Sequence, residues 1–216
     1  MNVNMVLLAK SKKYSNYCVA CYDKKNDKLV RLISNDSTIH HAVSPQDLIY
    51  EDGTEAEVGD VIKVEILKEK PIQFQPENLV FDNEYYLEKI ATCRNFDEFL
   101  TCPEYIFFDC EKKISESTLF SKAHVNSLEF IKVNEALVRV HFWDNGPSVT
   151  LDFTYNNRQY NYFSVTDIKF KNQMIKNANG YNYTAYINDT YLLISLGEVY
   201  DFDNCRYKLI ASVIMP

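Results

Sequence analysis

Apolar and polar positions alternate with a period of two through most of the chain. In 61–67, Ile62, Val64 and Ile66 face one way while Lys63 and Glu65 face the other, the mark of a half-buried strand. The same alternation runs through 137–143 and through 149–155, where Val149, Leu151, Phe153 and Tyr155 share one side and Thr150, Asp152 and Thr154 the other. Between those two lies Asp144-Asn145-Gly146-Pro147, a strong turn signal. At the start, 4–10, 14–22 and 29–34 read as three strands, with the polar turn 23–28 joining the last two in a hairpin. Further strands are expected over 160–166, 191–196 and 207–214, the last apolar on both faces and therefore buried.

The period changes only in the middle. Tyr86, Leu87, Ile90 and Ala91 form a helical stripe in 84–93 with Asn83 placed as its N-cap. Shorter helical turns are expected at 96–100 and 115–122. The resulting division is 1–82, a first β unit; 83–125, a helical connector; and 126–216, a second β unit. Turn signals at roughly 8–12-residue spacing imply small sandwiches or barrels, so the fold class is mainly β with some α.

Composition narrows this picture. Of 216 residues, 46% are hydrophobic and 14% aromatic, with 16 Tyr and 13 Phe, which suits strands and excludes disorder. The net charge is −7 and spread along the chain, so a strongly basic nucleic-acid binder is excluded and any polyanion site is a local patch. No run is apolar and long enough to span a membrane, and the first ten residues lack the charged region of a signal peptide. The six cysteines are unevenly spaced, as expected of reduced thiols, and the cytoplasm is the expected location.

A set of short motifs, in order over nearly the whole chain, resembles the bacterial dual-OB-domain protein family. It comprises Leu7-Leu8-Ala9-Lys10, Tyr14 to Ala20, Leu29 to Ser34, Gly59-Asp60-Val61 and Gln75-Pro76-Glu77-Asn78. It continues with Val165-Thr166-Asp167, Ser195-Leu196-Gly197-Glu198 and Tyr207 to Ala211. The chain departs from the family pattern at Cys21, where Gly is usual, and at Leu29-Val30, where a Trp precedes the Arg. The resemblance implies two OB-like small β-barrels joined by a helical segment, nucleic-acid or nucleotide binding, and a place among bacterial defence systems.

Candidate contacts follow from chemistry. Lys10, Lys12 and Lys13 with Tyr14 and Tyr17 interleave charge with rings, as do Lys169, Lys171 and Lys176 with Tyr181 and Tyr183. Such patches suit single-stranded DNA or RNA, whose bases stack on aromatic faces while cations track phosphates. Arg139, His141 and Trp143 share one face of a strand and form a third stacking, cationic surface; Arg31 completes the set. Against these stand plainer readings: Arg139 solvated, Trp143 half-buried, and Lys–Tyr neighbours met by chance among so many tyrosines. Cys18 and Cys21 form a CxxC without a second ligand pair, and in a strand they point to opposite faces. His40-His41 reads as a surface loop pair. Asp167 and Glu198 are either paired carboxylates or turn-formers. No catalytic motif, cofactor loop or metal set is present, so a binding protein is expected over an enzyme. The alternatives are a protein-interaction module, or a nucleotide-binding sensor or enzyme with its pocket between the barrels.

Overall fold

The computed structural model describes residues 1–122 and 125–215. The chain divides into two compact units, Met1–Phe99 with Val125–Leu128, and Leu100–His124 with Glu129–Pro216.

In the first unit, β1 (Asn2–Lys13), β2 (Asn16–Asp23) and β3 (Lys28–Ile33) form an antiparallel meander. After a loop with two short 3-10 turns come β4 (Asp60–Glu69), β5 (Asn78–Phe81) and β6 (Glu88–Thr92). β5 lies parallel to β3 and antiparallel to β4, and β4 returns to β1, so the order β1-β2-β3-β5-β4-β1 closes a five-stranded barrel. Closure removes the open edges that a flat sheet of this length would expose. Met5, Leu7, Val19, Cys21, Val30, Leu32, Ile62, Val64 and Phe81 fill the interior, as the period-two pattern requires.

The stretch 84–93, expected to be a helix, is extended instead. Its residues 88–92 pair with 60–63 of β4 as β6, all five exposed. Tyr86, Ile90 and Ala91 of the apparent stripe face solvent, and Leu87 alone is buried. Asn83 is no cap; its side-chain amide reaches Asp47 at 3.3 Å. The backbone groups of β4 left open by β1 and β5 recruit this segment, and pairing overrides a weak helical pattern.

In the second unit, β7 (Lys113–Ser115) leads into the short α1 (Glu116–Phe120), capped by the Ser115 hydroxyl. Then come β8 (Leu128–Trp143), β9 (Gly146–Tyr155), β10 (Arg158–Ser164), α2 (Ile168–Ala178), β11 (Tyr183–Tyr200) and β12 (Cys205–Ile214). The sheet runs β10-β9-β8-β11-β12-β7. It curls until the end of β10 meets β12 in a parallel bridge, Val165 to Ile210, with the Thr166 N–H donating to Ile210 O at 2.8 Å. β8 to β12 therefore repeat the order and the parallel third-to-fifth contact of β1 to β5. Phe153, Tyr160 and Phe163 pack at 5.3–5.8 Å between ring centroids in the core. α2 buries Phe170, Met174 and Ala178, one apolar stripe at helical spacing.

Among the described residues no helix is long and apolar enough to cross a membrane. All six cysteines are free thiols.

Candidate functional site

The β8–β9 hairpin determines which side chains meet. Its turn leaves Gly146 at φ +113°, and Trp143 pairs with Gly146, His141 with Ser148 and Arg139 with Thr150. Val138 and Val140 point into the barrel, so Arg139, His141 and Trp143 point out. The sequence expectation that these three share a face is what the strand delivers.

They line an open groove of about 450 Å³, together with Ser148 and Thr150 of β9, Tyr162 of β10, and 182–184 at the start of β11. Trp143 is 58% exposed, yet its ring is held: the indole N–H donates to the Ser148 hydroxyl at 2.9 Å and the His141 ring lies 3.7 Å away, centroid to centroid. The Asn182 side-chain carbonyl accepts the Phe142 N–H at 3.0 Å and ties the groove floor to β11.

Asp152 organises the other end. One oxygen accepts the Arg139 Nε–H at 2.7 Å; the other accepts the Tyr162 N–H, also at 2.7 Å. Tyr162 sits at φ +58° in a bulge where the β9–β10 register shifts between Tyr160 and Phe163. A tyrosine in the left-handed region costs about 1–2 kcal/mol, and such outliers gather at binding sites, where a bulge re-aims a side chain. Here the bulge turns the Tyr162 ring outward beneath the Arg139 guanidinium, 5.5 Å from the ring centroid. Neither Asp152 nor Tyr162 is among the sequence candidates. The hairpin turn carried a signal for Asp152, since it fixes a register that sets Asp152 diagonal to Arg139. The Tyr162 bulge left none.

The other sequence candidates lie elsewhere. Lys10 pairs with Glu55 at 2.8 Å and donates to Ala56 O, its side chain only 12% exposed. Lys13 donates to His40 O at 2.9 Å, and the exposed Tyr14 ring lies 4.9 Å from His40. Lys12 stands exposed on β1. Arg31 is 4% exposed and donates to Ser127 Oγ at 2.7 Å beside Glu77, which takes it off the surface. On α2, Lys169 is exposed and Lys171 half-buried, and Tyr181 is exposed just beyond the helix.

Asp167 is the N-cap of α2: one oxygen accepts the Phe170 N–H and the other the Val213 N–H, each at 3.0 Å. Burial pushes its carboxyl above the ordinary value, against those two bonds. Glu198 is exposed on β11. Cys21 lies in the barrel core, where burial raises its thiol, and Cys18 is half-buried on the same strand. His41 bridges Ser34 O at 3.1 Å and Lys70 at 2.8 Å. Among the described residues no group of three or more His, Cys, Asp or Glu is arranged to hold a metal ion.

The corresponding outer face of the first barrel is filled by its own chain. Ala20 and Tyr22 lie opposite the core-facing Val19 and Cys21 yet are buried; Phe99 rests on Tyr22 at 4.6 Å, and Phe96 follows at 6.3 Å. The segment is anchored at Gly59 (φ +96°), whose carbonyl accepts the Cys93 N–H at 2.7 Å. A Cβ at Gly59 would stand 3.3 Å from Cys93 O and 3.5 Å from the Phe96 ring. The groove beside Trp143 lies instead on the open outer face of the second unit's curled sheet.

Residues 3–213 match a family model described as a dual OB-containing domain. No curated protein matches the chain.

Proposed function

Because the chain belongs to the dual OB-containing domain family, we propose that it binds single-stranded DNA or RNA on the outer β8–β9–β10 face of its second barrel. The observation that carries this reading is the groove itself, where Trp143 and His141 form a fixed aromatic shelf beside Arg139 and Tyr162. OB barrels use this outer sheet face for oligonucleotides. Stacking on aromatic side chains needs no particular sequence and suits splayed single-stranded bases better than a duplex. Lys169, Lys171 and Tyr181 of the same unit are proposed as outlying contacts that guide the strand. Six free thiols favour a reducing compartment, and we place the protein in the cytoplasm as a component of a defence system.

Trp143 is the only tryptophan in the chain, so its emission reports the groove directly. Saturable quenching by short single-stranded oligonucleotides at low salt is expected. Trp143→Ala, followed by anisotropy of a labelled strand, should weaken binding about 5- to 150-fold, one stacked base being worth ~1–3 kcal/mol. Absence of quenching by any oligonucleotide in a well-folded sample refutes the reading.

A second reading, docking of a protein partner, is favoured by the β11–β12 turn. There Phe202 is 91% exposed beside Tyr200, between Asp201 and Asp203. An exposed aromatic flanked by carboxylates suits a basic protein surface and repels phosphate. Retention of a partner that Phe202→Ala abolishes, with no oligonucleotide binding, would establish it.

A further inference from the structure

We propose that the groove is a guanine-selective base site and that Arg139 reads the base. The proposal rests on the reading above and assigns the ligand chemistry within it.

The first support is electrostatic. Among the described residues Arg139 is the only Lys, Arg, Asp or Glu lining the groove, and its charge is matched by Asp152 at 2.7 Å. A phosphate drawn to this guanidinium would also meet the Asp152 carboxylate. The neutral carbonyl and ring-nitrogen acceptors of a base meet no such repulsion. The remaining polar lining, Ser148, Thr150, Asn182 and Thr184, is uncharged and suited to base edges.

The second support is the hydrogen-bond inventory of Arg139. Its Nε–H is committed to Asp152, whereas its Nη1 and Nη2 groups have no partner among the described residues. Two donor groups therefore remain, on a guanidinium whose carbon lies 5.5 Å from the Tyr162 ring centroid. Guanine presents two adjacent acceptors, O6 and N7, at the spacing of this fork. Adenine offers N7 beside a donor, and thymine or uracil a single O4 on that edge. Successive side chains on one strand face stand roughly 6.6 Å apart, from the ~3.3 Å rise per residue. A purine lying on the Trp143–His141 shelf can thus turn its acceptor edge toward Arg139.

The test uses the full chain and oligothymidylates of nine nucleotides whose central residue is dG, dA, dC or dT; a single dG avoids self-association of G-runs. Affinity is read from Trp143 quenching. The dG oligomer should bind about 5- to 150-fold more tightly than the other three, the range of one good bidentate contact. Arg139→Lys keeps the charge and a donor for Asp152 but loses the fork; it should equalise the four oligomers, with melting temperature as a check on folding. With no other Lys or Arg lining the groove among the described residues, the dG preference should also persist from about 50 to about 300 mM salt. Equal binding of all four, a preference for dA, dC or dT, or a dG preference that survives in Arg139→Lys overturns the proposal and leaves the nucleic-acid reading standing. No quenching by any of them refutes that reading, and the base preference with it.

Discussion

Asp167 decides between a site residue and a structural cap, and the structure gives the size of the effect. In Asp167→Ala the Phe170 N–H loses its cap, a change that costs about 1 kcal/mol. The Val213 N–H is buried, and leaving it without an acceptor costs ~1–3 kcal/mol. The substitution also removes a desolvated carboxylate whose burial already opposes ionisation, which offsets part of the loss. A net destabilisation of about 2 kcal/mol is expected, with about 4 as the ceiling. For a chain of this size that lowers the melting temperature by roughly 4–16 °C. Asp167→Asn retains one side-chain oxygen and should lose about half as much. The assay is thermal melting followed by circular dichroism, alongside Trp143 quenching measured well below the transition. Unchanged oligonucleotide affinity is expected in both variants, because Asp167 does not line the groove. A melting temperature unchanged within a degree, with binding lost, would refute the capping argument and favour a binding role for Asp167.

Two further predictions follow. Burial pushes the Glu129 carboxyl up to about 6, although the Thr101 hydroxyl donating to it at 2.7 Å pulls the other way. The folded protein therefore holds this proton more tightly than the unfolded chain. The penalty is absent below pH 4.5, grows through pH 6 and reaches about 2 kcal/mol at pH 7. Urea melts of Glu129→Gln should show equal stability at pH 4 and a gain approaching that value at pH 7; a gain independent of pH would count against it. Tyr162→Gly should change stability by less than about 1 kcal/mol, since relief of the positive φ is opposed by backbone entropy. It should nonetheless weaken oligonucleotide binding severalfold. Tyr162→Val, β-branched at the same φ, should destabilise by more than 1 kcal/mol in the same melts; a Val variant as stable as the Gly variant would refute the strain.

What the sequence determined by itself was local. A period of two is imposed by the pleat of a strand, so the three-strand start, the β8–β9 hairpin and the buried terminal strand were legible from apolar spacing and turn residues. The same periodicity placed Arg139, His141 and Trp143 on one face. The α2 helix carries its own local signal, since Asp167 followed by Phe170, Met174 and Ala178 is a cap and a stripe. What only tertiary structure decided depends on partners distant in the chain. Arg31 reads as a surface cation until Ser127, 96 residues away, is found holding it in a buried position. The stripe in 84–93 looks helical until the open edge of β4 claims it as β6. The outer face of β2 looks free until Phe96 and Phe99 cover it. Tyr162 belongs to the groove only because a bulge and the Asp152 carboxylate turn it there. Strand periodicity says which way a side chain points; register, closure and burial settle what it meets, and those are properties of the whole chain.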